Sequence, residues 1–343
     1  MPTTEPTGAG ARPALAPELA RRCYLDMLTA RRIDEEAVAL QRQGVFPAYV
    51  SLRGQEAAQV AGALAIDAER DFAFPTYREM GVALALGVDM PGYMASHRAL
   101  WHGGLYDPAA SRFAPINAVV GGPVPHAVGW AVGERLRGGP GCAVAYFGDG
   151  ASSEGDVHEA MNFAGVYGAP VVFFCQNNRW ALSVPNERQV AGGSVAARAA
   201  GYGMPGTAVD GNDAAAVHTA MAEALERARS GGGPSLIEAL TYRVEPHSTS
   251  DDPTRYRDLA EEHAWRERDP IPALRARMEA DGSGDEAFFT EAEKRAAERA
   301  EAVRDAVAAA PEPDGSELFT HVFREPTEEL ARQRRVWREE VEL

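Results

Sequence analysis

The chain has 343 residues, with 34 basic side chains against 50 acidic ones, and only one of the basic residues, Lys294, is a lysine. A formal charge of −16 excludes nucleic acid and an anionic membrane as main partners, because both call for a basic surface. The single lysine excludes a P-loop, since Lys294 follows Glu293 and not a glycine, and it offers a Schiff-base enzyme only an amine in a charged, helical-looking stretch.

Residues 1–17 are rich in Pro, Thr, Ala and Gly and lack the basic start and apolar stretch of a signal peptide, so a disordered tail on a cytoplasmic protein is expected. No apolar run approaches the roughly 20 residues that a membrane span requires. Cys23, Cys142 and Cys175 have no metal-type spacing and read as inert buried thiols. From Pro17, the apolar positions Leu19, Cys23, Met27, Leu28, Ile33, Ala37 and Leu40 predict a long helix ending near Gly44. Further helices are predicted over 54–65, 77–86 and 125–136. An apolar run at 143–147 then reads as a buried strand, followed by a helix over 154–166 and a strand over 171–175. A short strand at 207–209, a helix over 213–229 and a strand over 236–244 complete the alternation. This pattern predicts an α/β fold with a mostly parallel sheet, helices on both faces, and ligands at the carboxyl ends of the strands. Beyond Pro253 the chain is charged helix with Pro/Gly breaks. The expected organisation is a tail over 1–17, an α/β domain over 18–253 with N-terminal helices, and a helical extension over 254–343.

The informative constellation is Gly148-Asp149-Gly150, then 26 residues, then Asn177-Asn178. The glycines let backbone N–H groups approach an anion where a helix begins, and Asp149 can hold a divalent ion. Asn178 follows the next parallel strand, which brings it above a neighbouring strand end. One carboxylate, one amide oxygen, a backbone carbonyl and diphosphate oxygens form an all-oxygen set that suits Mg²⁺. By contrast, Gly201 to Gly206 spells a dinucleotide fingerprint but follows an Ala-rich helical run and contains Pro205, so nicotinamide binding is not expected there.

The Gly-Asp-Gly to Asn-Asn spacing resembles the binding motif of thiamine-diphosphate enzymes. Its continuations, Glu154-Gly-Asp-Val-His-Glu159 and Phe174-Cys-Gln-Asn-Asn178, look like the α subunit of the E1 component of 2-oxo acid dehydrogenase complexes. The resemblance extends over about 20–335 and implies the thiamine-diphosphate-binding fold. It further implies that Asp149 and Asn178 ligate Mg²⁺ by side chain and Trp180 by its carbonyl, and that Gly150 and Ala151, next to Gly148, offer N–H groups to the diphosphate. Tyr77-Arg78 matches the family's aromatic-plus-Arg pair, and a guanidinium fork fits phosphate oxygens. Tyr242-Arg243 through His247 to Asp252 resembles the phosphate-side loop, with Arg243 and His247 facing the cofactor and His247 the candidate catalytic group. Backbone groups of Ala118 and Val120 are assigned to the aminopyrimidine.

Two features bear on the substrate. Gln176 stands where branched-chain members commonly carry Arg, and Asn117 to Val124 departs from their pattern, so a monovalent-ion site of that kind is not expected. Leu40 to Gly44 and Phe173 to Cys175 nevertheless look branched-chain more than pyruvate-like. The implied activity is oxidative decarboxylation of a 2-oxo acid, branched-chain ahead of pyruvate, with acyl transfer to the lipoyl group of a dihydrolipoyl acyltransferase. The implied assembly is an α₂β₂ heterotetramer with a β subunit. An acyloin-cleaving or carboligating thiamine-diphosphate enzyme stays open as the alternative.

Overall fold

The computed structural model describes residues 13–98, 104–311 and 315–341. Most of the expected tail, residues 1–12, lies outside the described residues. Two compact units divide between Ala308 and Ala309.

Helix α1 (Pro17–Arg42) buries Cys23, Met27, Ile33, Ala37 and Leu40, as its spacing predicts, and the chain turns at Gly44, whose φ of +81° favours glycine. Helix α2 (Glu56–Ala63) begins later than the pattern predicts because Gly54, at φ +90°, and Gln55 are not helical. Strand β1 (Phe72–Phe74) is followed by α3 (Met80–Ala85), which also starts late. The Glu79 carboxylate accepts from the Thr76 N–H and hydroxyl, and this closes a turn around Tyr77 and Arg78 before the helix. Short helices α4 (Met90–Met94) and α5 (Pro108–Ser111) precede α6 (Pro123–Leu136). Next come β2 (Ala143–Gly148), α7 (Gly155–Tyr167) and β3 (Val171–Asn177). A small antiparallel pair, β4 (Trp180–Ala181) and β5 (Val184–Pro185), follows, with α8 (Asn186–Gln189) behind it. Then β6 (Gly206–Asp210), α9 (Ala214–Arg229) and β7 (Ser235–Leu240) complete the sheet.

The sheet runs β1-β2-β3-β7-β6, and every pairing is parallel. Successive side chains point to opposite faces. Val144 and Tyr146 of β2 and Val172 and Phe174 of β3 join the core under α1, α2, α3 and α9. Ala143, Ala145 and Phe147, with Val171, Phe173 and Cys175, join the core under α6 and α7. The two central strands are therefore buried on both faces, which is why they read as continuous apolar runs. The three cysteines are free and buried, and burial pushes each thiol upward.

Helices α10 (Leu259–Arg266), α11 (Pro270–Asp281) and α12 (Glu286–Ala309) follow, α10 and α11 each opened by an aspartate that accepts a backbone N–H. They reach back to the start of the chain. Arg31 of α1 joins Glu56 of α2 and, at 2.9 Å, Asp269 ahead of α11, while Phe289 of α12 packs edge-on to Tyr24 with centroids 5.1 Å apart. The second unit contains α13 (Glu328–Val341). Among the described residues no helix is long and apolar enough to cross a membrane.

Candidate cofactor site

The carboxyl ends of β2, β3 and β7 meet at one edge of the sheet, where Gly148 lies beside Gln176 and Asn177 beside Leu240. A cleft of about 410 Å³ opens there. Tyr77, Arg78, Val120, Gly148, Asp149, Gly150, Ala151, Asn178, Trp180 and His247 all line it, so ten residues picked from sequence positions 170 apart come together. Ala118 and Arg243 do not line it. Ala118 is exposed, and Arg243 is buried behind the β4–β5 pair.

Gly148 to Gly150 leave β2 in a tighter turn than a direct run into a helix. The Ser152 N–H and hydroxyl both bond the Asp149 carbonyl, winding residues 151–153 into a 3₁₀ turn before α7. Gly150 is needed for a close approach, since a Cβ there would sit 3.0 Å from that of Ala181. Asp149 is 1% exposed; its Oδ1 accepts the Asn178 N–H at 3.3 Å, and its Oδ2 is buried without a hydrogen-bond partner. Burial pushes its carboxyl up to about 6. Among the described residues no group of three or more His, Cys, Asp or Glu could hold a metal ion. The orphaned carboxylate oxygen, on a residue bonded to the Asn178 backbone, is a donor type that suits a hard cation. The Trp180 carbonyl, the third expected ligand, accepts from Arg243 Nη1 at 3.1 Å. Arg243 also holds the Leu182 carbonyl and the Tyr256 hydroxyl, so it braces the β4–β5 turn.

The opposite wall is cationic. Arg78, 6% exposed, donates to the carbonyls of Ser51 and His247. Arg78 adds to burial in lowering Arg243 to about 10, and both guanidinium groups add to burial in lowering His247 to about 4. His247 is therefore neutral near pH 7, its backbone N–H donating to the Asp251 carboxylate and its ring edge-on to Tyr77. Both guanidinium groups bond carbonyls and a hydroxyl here, which leaves their charge for an anion to meet.

The dehydrogenase E1 component model matches residues 24–316. The chain belongs to the dehydrogenase E1 component family. The 3-methyl-2-oxobutanoate dehydrogenase subunit alpha of Mycobacterium tuberculosis is 47% identical to this E1 chain over 328 residues, covering 95% of it and 89% of the relative. The 2-oxoisovalerate dehydrogenase subunit alpha of Bacillus subtilis is 43% identical over 268 residues, 76% of this chain and 81% of the relative. A pyruvate dehydrogenase E1 component subunit alpha of Bacillus cereus is 36% identical over 340 residues, 98% and 90% respectively. The E1 chain is thus part of a 2-oxo acid dehydrogenase, an oxidoreductase of a thiamine-diphosphate-dependent family.

Sequence reasoning passed over several residues of the E1 cleft. Gln55, Thr76 and Glu79 line it; Gln176, already noted for its departure from the branched-chain pattern, lines it too and donates from Nε2 to Glu79 Oε1. Gln189 donates to the Gly150 carbonyl at 3.0 Å. Glu79 had a signal, standing directly after Tyr77-Arg78; Gln55 and Gln189 had none, because their place depends on how distant segments fold together.

Proposed function

We propose that the cleft holds Mg²⁺ and thiamine diphosphate and that this chain is the α subunit of an α₂β₂ E1 acting on a branched-chain 2-oxo acid. The observation that carries the reading is the orphaned Asp149 Oδ2, which faces a cleft whose other wall is the Arg78 and His247 cluster. Asp149 and Asn178 would hold the cation by side chain, with the Trp180 carbonyl sharing its second lone pair. Gly150 and Ala151 would offer backbone N–H groups, and Arg78, Tyr77 and His247 would receive the diphosphate. Ala118, exposed as it is, and Val120 would meet the aminopyrimidine. Arg243 would act through the Trp180 carbonyl and the added positive field. When bound, the cofactor supplies the electron sink for decarboxylation of a 2-oxo acid.

The chain's own part is to neutralise and orient. A neutral His247 can donate or accept a hydrogen bond next to Tyr77 without adding a charge that must be compensated. The mouth of the cleft is apolar and open, with Val120 43%, Leu182 50% and Val184 39% exposed, which fits a β subunit completing the pocket. The names of the α-subunit relatives support such a partner, and a lipoyl-bearing acyltransferase would take the acyl group. Similarity to the subunits named for 3-methyl-2-oxobutanoate and 2-oxoisovalerate favours a branched substrate.

Asp149→Ala should abolish Mg²⁺-dependent thiamine diphosphate binding, measured by calorimetry on the chain assembled with its β partner; unchanged binding would remove the cofactor assignment. A substrate series across branched 2-oxo acids, pyruvate and acetoin should favour the branched acids. Equal use of pyruvate, or cleavage of acetoin in place of decarboxylation, would overturn the substrate reading.

A further inference from the structure

Two buried amides on the cleft wall fix one another's orientation, and their chain of hydrogen bonds ends on an unused donor. An Asn or Gln side chain has one accepting end and one donating end, and its partners decide which faces where. The Trp180 backbone N–H donates to Asn178 Oδ1 at 3.3 Å, so Asn178 Nδ2 has to find an acceptor. It finds Gln55 Oε1 at 3.4 Å. That bond turns the Nε2 end of Gln55 away from Asn178. This nitrogen is buried and has no hydrogen-bond partner, in a residue only 1% exposed that lines the same cleft as Asp149 and Arg78. A buried amide nitrogen without an acceptor is costly, and a ligand that brings an oxygen relieves the cost.

We propose that Gln55 is a direct ligand-binding residue of the site. Its Nε2 donates to an anionic oxygen of the diphosphate, while its Oε1 holds Asn178 so that Oδ1, which accepts the Trp180 N–H, keeps a second lone pair for the cation. One side chain then couples the amide ligand of the metal to the anion that the metal accompanies. The same helix start also sets the opposite wall. Gln59 Nε2 donates to the Arg78 carbonyl at 3.0 Å and Gln59 Oε1 accepts the Gly81 N–H at 2.9 Å, so the segment from Gln55 into α2 carries one amide for the ligand and one for the Arg78 turn. Gln176 cannot substitute. Its Nε2 is taken by Glu79, and its free end is an acceptor, which an anionic oxygen avoids. The proposal rests on the reading of the cleft as a Mg²⁺ and thiamine diphosphate site.

Two variants separate the two ends of the side chain. Gln55→Glu keeps an acceptor for Asn178 and loses the donor, while Gln55→Met, of similar shape, loses both. Calorimetric titration of thiamine diphosphate into the chain assembled with its β partner, under mildly alkaline conditions that keep a glutamate ionised, gives the cofactor affinity. The Mg²⁺ concentration for half-maximal binding reads the metal side. Gln55→Glu should weaken thiamine diphosphate roughly tenfold to a hundredfold with no rise in the Mg²⁺ requirement. Gln55→Met should weaken the cofactor to a similar degree and raise the Mg²⁺ requirement as well. Wild-type affinity in Gln55→Glu overturns the proposal, and it remains decisive if melting curves show Gln55→Met to be unfolded. Asp149→Ala is measured in parallel. Binding retained there sinks the cofactor site itself, whereas binding lost there and retained in Gln55→Glu sinks only the role of Gln55.

Discussion

Asp149 illustrates how burial changes the terms on which a single carboxylate ionises. Its folded-state pKa, raised to about 6, lies above the ordinary Asp value, so the ligand-free fold prefers the protonated acid. Above about 6 the ionised group costs stability because Oδ2 has no partner, and a cation removes that cost. The Mg²⁺-induced rise in melting temperature, with thiamine diphosphate present, should therefore be large above pH 6 and shrink steadily as the pH falls below it. A metal effect of constant size across that range, followed by scanning calorimetry, would show that the cation sits elsewhere. His247 moves the other way. Lowered to about 4 by burial and by Arg78 and Arg243, it stays neutral where Asp149 is changing charge, so the two groups report different pH ranges.

At the scale of elements, the site depends on how α2 is seated. Gly54 runs at φ +90° with no room for a side chain, since a Cβ would lie 2.5 Å from the Tyr242 carbonyl oxygen and 2.7 Å from Val244 Cγ2. Gly54→Ala should cost about 2–3 kcal/mol of stability in urea unfolding and weaken cofactor binding, because Gln55 and the segment leading to His247 are pushed apart. Stability equal to wild type would mean that the two segments are not held in contact. The existence and order of the long elements were legible from apolar spacing, and the boundaries followed packing instead. Strand β7 stops at Leu240, short of the predicted 244, because Thr241 turns its hydroxyl to the Gly54 carbonyl and the chain leaves the sheet for the cleft. Strand β1 escaped notice because three residues carry too little periodicity.

At the scale of the whole molecule, the cleft has two unlike sides. One wall carries charge and amides, and the mouth is left apolar and exposed at Val120, Leu182 and Val184. The isolated chain should show little or no decarboxylation of branched 2-oxo acids, and mixing it with its β partner should restore turnover at least a hundredfold, an order of magnitude consistent with assembling catalytic groups from two chains. Full activity of the chain alone in a dye-reduction assay would contradict the two-chain site.

The sequence by itself determined the fold class and the family, because the Gly-Asp-Gly and Asn-Asn segments follow two buried strands whose apolar runs are unmistakable. It also pointed to Tyr77, Arg78 and His247 through resemblance. Only the tertiary structure decided that Arg243 braces the Trp180 carbonyl and leaves the cleft wall to other residues. It alone showed that Gln55 keeps a buried donor without a partner at the cleft wall. Strand ends are fixed by local pattern, but the orientation of an amide or a guanidinium is set by partners more than 60 residues away, and no local pattern encodes them.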